Sequence, residues 1–133
     1  MIKVIFDTNF LIYAVDFKGD IFQAMEKAIG QQIEKILLRP IQEEIQHLAV
    51  CGSNKIQRQA QRALELIQDK QLKFQQIALH SISFTDVDQM ITAYAKNNQC
   101  YIATNDKELR KTLRKEGIPM FFIRQRTQIE VLR

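Results

Sequence analysis

Cysteine and histidine are nearly absent from this chain, which carries two of each in 133 residues. Cys51 and Cys100 lie far apart without metal-ligand spacing, and His47 and His80 form no motif with them. A zinc site is therefore not expected. The same scarcity points to two reduced thiols in a cytoplasmic protein rather than to a disulfide framework. No apolar run approaches the roughly 20 residues needed to span a bilayer, so no membrane association is expected. The segment before Asp7 is too short for the apolar region of a secretion signal. Repeats, low-complexity tracts and linkers are missing as well. With 46% hydrophobic residues, 1–133 is expected to form a single domain around one sizeable core.

Charge is present, but unevenly. Residues 1–106 hold 11 Lys/Arg and 12 Asp/Glu, whereas residues 107–133 hold 8 and 3. The balances of −1 and +5 recover the net +4. A basic C-terminal quarter beside an acidic remainder suits a polyanion approached through its backbone, although a merely solvated surface produces the same counts.

The order of elements is legible from apolar runs and punctuation. Residues 2–6 read as a buried strand, with Thr8 or Asn9 capping a helix that carries Leu11, Ile12 and Val15. Asp20 caps a second helix, and Lys35 to Leu38 is a strand. Pro40 suits the first turn of the next helix, which runs to about Val50. Ser53 caps a long helix, and Leu72 to Ala78 is a partly alternating strand. Thr85 caps a further helix, Cys100 to Ala103 is a strand, and Asn105 caps a helix closing at Gly117. Pro119 to Ile123 is the last strand, and the tail from Arg124 stays open. Strands and helices alternating at this spacing give an α/β fold, with a mostly parallel sheet of four or five strands and helices on both faces.

Four acids fall near predicted strand-to-helix passages: Asp7, Glu44, Asp88 and Asp106. Such turns collect along one edge of a parallel sheet, where ligand sites of open α/β folds form. Carboxylates gathered there repel one another unless a hard divalent cation joins them, which points to Mg²⁺ or Mn²⁺ and to phosphate chemistry. Each acid also has a plainer reading: Asp7 as a helix cap, Glu44 as a solvated glutamate, Asp86 and Asp88 as acids favoured by a helix dipole. Asn9 stands two residues after Asp7, where haloacid-dehalogenase-like phosphatases keep an aspartate, so that chemistry lacks its general acid. Thr104-Asn105-Asp106 can support a metal-bound water or a phosphate. In the following helix Lys107, Arg110, Lys111, Arg114 and Lys115 form one basic stripe, with a thinner stripe at Lys55, Arg58 and Arg62. No aromatic residues interleave with either stripe, so base stacking is not indicated.

Together, the strand-end Asp7-Thr8-Asn9, the acidic helix of Glu44, Asp88 opening a helix, and the run from Ala103 to Arg110 resemble the PIN domain family. Ile102 through Arg124, with Gly117-Ile118-Pro119, is similar to free-standing archaeal members and, through them, to the PIN nucleases of ribosomal RNA processing. The resemblance implies a three-layer α/β/α sandwich and an endoribonuclease dependent on Mg²⁺ or Mn²⁺. It places the metal-binding and catalytic acids on Asp7, Glu44, Asp88 and Asp106. Asn9, Thr104, Asn105 and Asp86 become supporting residues, and the choice between Asp86 and Asp88 stays open. The implied partner is RNA, met in pre-ribosomal particles. An alternative is a VapC-type toxin with an antitoxin protein, and another is a non-catalytic binding module. A homodimer is an expectation of the resemblance alone.

Overall fold

The computed structural model describes residues 1–79 and 86–133. In chain order the elements are β1 (Ile2–Phe6), α1 (Thr8–Ala14), α2 (Ile21–Ile29), β2 (Ile33–Leu38), α3 (Arg39–Cys51) and α4 (Asn54–Gln68). They continue with β3 (Gln75–Ile77), α5 (Val87–Asn98), β4 (Tyr101–Ala103), α6 (Lys107–Glu116), β5 (Met120–Arg124) and β6 (Gln128–Leu132). One sheet in the order β3-β2-β1-β4-β5-β6 forms the middle layer of the expected α/β/α sandwich. All pairings are parallel except β5 with β6. Among the described residues no helix is long and apolar enough to cross a membrane.

The apolar runs explain the centre of the sheet. Val4, Ile5 and Phe6 in β1, and Ile102 and Ala103 in β4, are completely buried, as a strand covered on both faces requires. Phe6 packs its ring 5.6 Å from Phe10, 5.8 Å from Phe22 and 5.5 Å from Phe74, mostly tilted or edge to face. This cluster anchors the strand end that presents Asp7. The Asp7 amide donates to Ala103 O at 2.9 Å, which stitches the ends of β1 and β4 together. The order of strands reverses between β1 and β4, so a crevice opens at their carboxyl ends.

Several local expectations change. The sheet has six strands, because the open tail folds back as β6. Its hairpin turns through Gln125 (φ 56°) and Arg126 (φ 62°), left-handed positions that usually take Asn or Gly. Each costs about 1 kcal/mol in a residue with a Cβ. The strand expected over Leu72 to Ala78 shrinks to β3, because Lys73 is left-handed (φ 54°) and the Leu72 amide closes a turn on Asp69 O. The cap of α1 is Asp7, not Thr8 or Asn9, and that of α6 is Asp106, not Asn105. Asp20 and Ser53 cap α2 and α4 as expected, and Gly117 (φ 70°) ends α6. Thr85, expected to cap α5, lies outside the described residues, as does His80; Asp86 is the N-cap.

Candidate active site

A cavity of about 480 Å³ opens at the β1/β4 crevice, and Asp7, Glu44, Asp86, Asp88, Asp106 and Asn9 all line it. They reach it from separate elements. Asp7 ends β1 and caps α1, while Asp106 follows β4 and caps α6. Asp86 caps α5, with Asp88 in its first turn. Glu44 arrives differently: it lies inside α3 rather than at a strand end. Ile41 and Ile45 on that helix are completely buried, and this fixes the rotation that turns Glu44 to the cavity. Glu43 points elsewhere, beside Arg39.

Asp7 is the fixed member of the set. It is 5% exposed, and its Oδ1 accepts from the Thr8 amide at 2.8 Å while Oδ2 accepts from Thr104 Oγ1 at 2.7 Å. Burial pushes its carboxyl from 3.8 up to about 6, against the pull of those two hydrogen bonds. The charges of Asp88 and Glu44 push it further in the same direction. Asp88 is raised too, by desolvation first and then by Asp106, Asp86 and Glu44. Because Asp88 is an exposed residue, the mutual repulsion is the part that bears on the site.

A polar frame holds the crevice. Thr104 is wholly buried; besides donating to Asp7, its Oγ1 accepts from the Asp106 amide at 3.1 Å. Asn9 Oδ1 accepts from the Asn105 amide at 2.9 Å and from Thr104 Oγ1 at 3.3 Å. Asn105 is tied to β5: its Nδ2 donates to Ile123 O at 3.0 Å, and its Oδ1 accepts from the Ile123 amide at 2.9 Å. That engagement explains why the neighbouring Asp106 takes the helix cap, its Oδ1 accepting from Glu108 and Leu109 amides. Replacing Thr104 by Val keeps the shape but removes a bond to a charged group. A loss of about 1.5–2 kcal/mol is expected by urea denaturation at pH 7.5, and less at pH 4 where Asp7 is protonated. Thr104→Ser should restore most of it.

The acids suit a hard cation by type, being anionic oxygens on a shared cavity. Among the described residues, however, no three His, Cys, Asp or Glu side chains already stand in a metal-holding arrangement. Glu44, Asp86 and Asp88 are exposed and Asp106 half-buried, whereas Asp7 is buried and fixed. Thr8 Oγ1 adds a group that the sequence reading treated only as a cap. It belongs to a cavity-lining residue, is buried, and has no hydrogen-bond partner among the described residues.

The basic stripe of α6 stands apart. None of Lys107, Arg110, Lys111, Arg114 and Lys115 lines the acidic cavity. Arg110 is half-buried with its guanidinium 4.2 Å from the Phe122 ring centre, and Lys111 pairs with Glu108 at 3.5 Å. Lys107, Arg114 and Lys115 are exposed. In the thinner stripe Arg62 is engaged by Asp16 at 3.2 Å and by Val15 O at 2.6 Å.

Known proteins resemble this chain in sequence and fold. The sequence matches the PIN like domain family over residues 4–126. Ribonuclease VapC4 of Methanocaldococcus jannaschii is 33% identical over 132 residues, spanning 98% of this chain and 97% of that protein. The structure of the PIN domain endonuclease Utp24 superposes with a TM-score of 0.80 at 25% identity, covering 98% of this chain and 91% of that one. A domain of a functionally unknown Methanocaldococcus jannaschii protein, 18% identical, shares the fold at a TM-score of 0.64 over 93% of this chain and 92% of that one. With the family matched along most of the sequence and a relative aligned almost end to end, the chain belongs to the PIN-like domain family.

Proposed function

We propose that the protein is an endoribonuclease that hydrolyses RNA phosphodiester bonds with Mg²⁺ or Mn²⁺ as cofactor. The observation that carries this reading is the meeting of Asp7, Glu44, Asp88 and Asp106 on one cavity at the sheet's switch point. A polyphosphate cannot approach that many carboxylates unless a cation intervenes. The relatives named a ribonuclease and an endonuclease support the substrate class and the bond cut.

In this reading Asp7, held by Thr104 and the Thr8 amide, would be the fixed ligand, and Glu44, Asp88 and Asp106 would complete the set that holds the ion. A bound divalent ion supplies Lewis acidity and lowers the pKa of water. Asp88 is preferred over Asp86, since Asp7 feels the charge of Asp88 and Asp86 serves as the N-cap of α5. Asn9, Thr104 and Asn105 keep the ends of β1, β4 and β5 in register. Thr8 Oγ1 has donor capacity for a water or a phosphate oxygen. The cations of α6 draw the RNA backbone from a distance, which quickens encounter more than it strengthens binding.

Purified protein with end-labelled RNA should cut in Mg²⁺ or Mn²⁺ and stop on addition of EDTA. Asp106→Asn should lower the rate at least a hundredfold without unfolding the protein, since an amide oxygen can still cap α6. Cleavage that ignores EDTA and survives Asp106→Asn would place the chemistry elsewhere.

Two cellular roles fit this activity. The segment from Ile102 to Arg124 carries the reading as an enzyme of ribosomal RNA maturation, whereas the likeness to Ribonuclease VapC4 favours a toxin restrained by an antitoxin. Growth arrest on expression, relieved by the product of an adjacent gene, supports the toxin. Build-up of uncut ribosomal precursor on depletion supports maturation.

A further inference from the structure

Beside the acidic cavity lies a smaller one of about 210 Å³, and Tyr13 lines both. Its other walls include Lys55 from the start of α4, Asn105, and Gln125 and Arg126 from the β5–β6 turn. Resting on the nuclease reading, we propose that this second cavity seats the nucleotide next to the scissile phosphate, with Tyr13 stacking on its base and Lys55 and Arg126 holding its phosphate.

Three observations converge on that assignment. Tyr13 is 52% exposed, one of three large apolar side chains left in water among the described residues, and it makes no ring contact there. An exposed ring between two cavities is an available stacking platform. Second, the lining is cationic in effect. Asp16 also borders it, but its carboxylate is occupied by Gln59 at 2.8 Å and by Arg62 at 3.2 Å. Those bonds hold Asp16 below the ordinary carboxylate range, the Gln59 bond first. Neither Lys55 nor Arg126 forms an ion pair among the described residues, although Arg126 lies within electrostatic reach of Asp16. Third, Arg126 is presented by a turn whose two left-handed positions hold Gln and Arg rather than Asn and Gly. Asn105 belongs both to this wall and to the frame of the acidic site, so the two cavities adjoin.

The test uses the intact protein with Ca²⁺ filling the acidic site in place of the catalytic ion, and a labelled single-stranded RNA decamer, with affinity read by fluorescence anisotropy. Tyr13→Ala should weaken binding by roughly tenfold and Tyr13→Phe by less than about twofold. In decamers with one abasic site moved along the chain, one position should weaken the wild type but leave Tyr13→Ala unchanged. Replacing both Lys55 and Arg126 by Ala should reduce the slope of log affinity against log salt by about 1.4. If the wild type cuts RNA but Tyr13→Ala matches it on every decamer, the subsite is wrong and the nuclease reading stands. If the wild type neither cuts nor binds RNA, both fall.

Discussion

Asp7→Asn should abolish RNA cleavage and make the protein more stable. The first effect follows from position: among the described residues Asp7 is the one cavity acid locked by hydrogen bonds on both oxygens. Losing several kcal/mol of transition-state stabilisation corresponds to a rate reduction of about 10³-fold or more. The second follows from burial. Because the folded protein holds the Asp7 proton up to about 6, against 3.8 ordinarily, folding favours the protonated form. Well below pH 3.8 both folded and unfolded chains are protonated and nothing is lost. As pH rises to about 6, ionisation favours the unfolded chain progressively, and the deficit reaches about 3 kcal/mol above it. Asparagine carries no such charge, and it retains an oxygen for the Thr8 amide. Thr104 can then accept from the new amide and donate to Asn9, 3.3 Å away. The expected gain at pH 7.5 is about 2 kcal/mol, or roughly 6–10 °C in Tm, shrinking to about 0.5 kcal/mol or less at pH 4. Calorimetry at both pH values measures it. A variant that is inactive yet no more stable at pH 7.5 would mean that Asp7 is not a strained, desolvated charge.

That destabilised carboxylate lies where sequence and structure agree best. β1 and β4 were legible as short, mostly apolar runs ending in polar residues, and the acid after each run was visible as a result. The helix caps were less legible. Local pattern allows Thr8, Asn9 or Asn105 to cap, and only the fold shows that Asn9 binds the Asn105 amide and Asn105 binds β5. Bonds spanning many residues leave no local trace. The tail stayed open for a similar reason, since Gln125 and Arg126 turn the chain without the usual Gly or Asn. The basic stripe of α6 was correctly periodic, but a period does not say which way the stripe looks. Leu109 and Leu113 fix the helix on the core, and Arg110 lies over Phe122, away from the acids. Tyr13 carries a local signal too: it lies four residues after Asn9, on the same face of α1.

Saturating Mn²⁺ should raise the Tm of the wild type at pH 7.5, and much less at pH 5. The acids that destabilise the free protein by repulsion are those a cation would neutralise, so binding and folding are linked. At a hundred times the dissociation constant the linkage supplies about 2.7 kcal/mol. Proton and cation compete for Asp7, whose carboxyl is half-protonated near pH 6. Affinity should therefore be flat above pH 7 and drop about tenfold for each pH unit below about 6, with one proton released per ion bound at pH 5. Asp7→Asn should lose most of the shift, because its stabilisation comes from removing the charge the ion needs. Gln in place of Glu43, which faces away beside Arg39, should keep the shift in full. Equal shifts in Asp7→Asn and wild type, or a shift independent of pH, would locate the bound ion away from the β1/β4 crevice and detach the cofactor from this site.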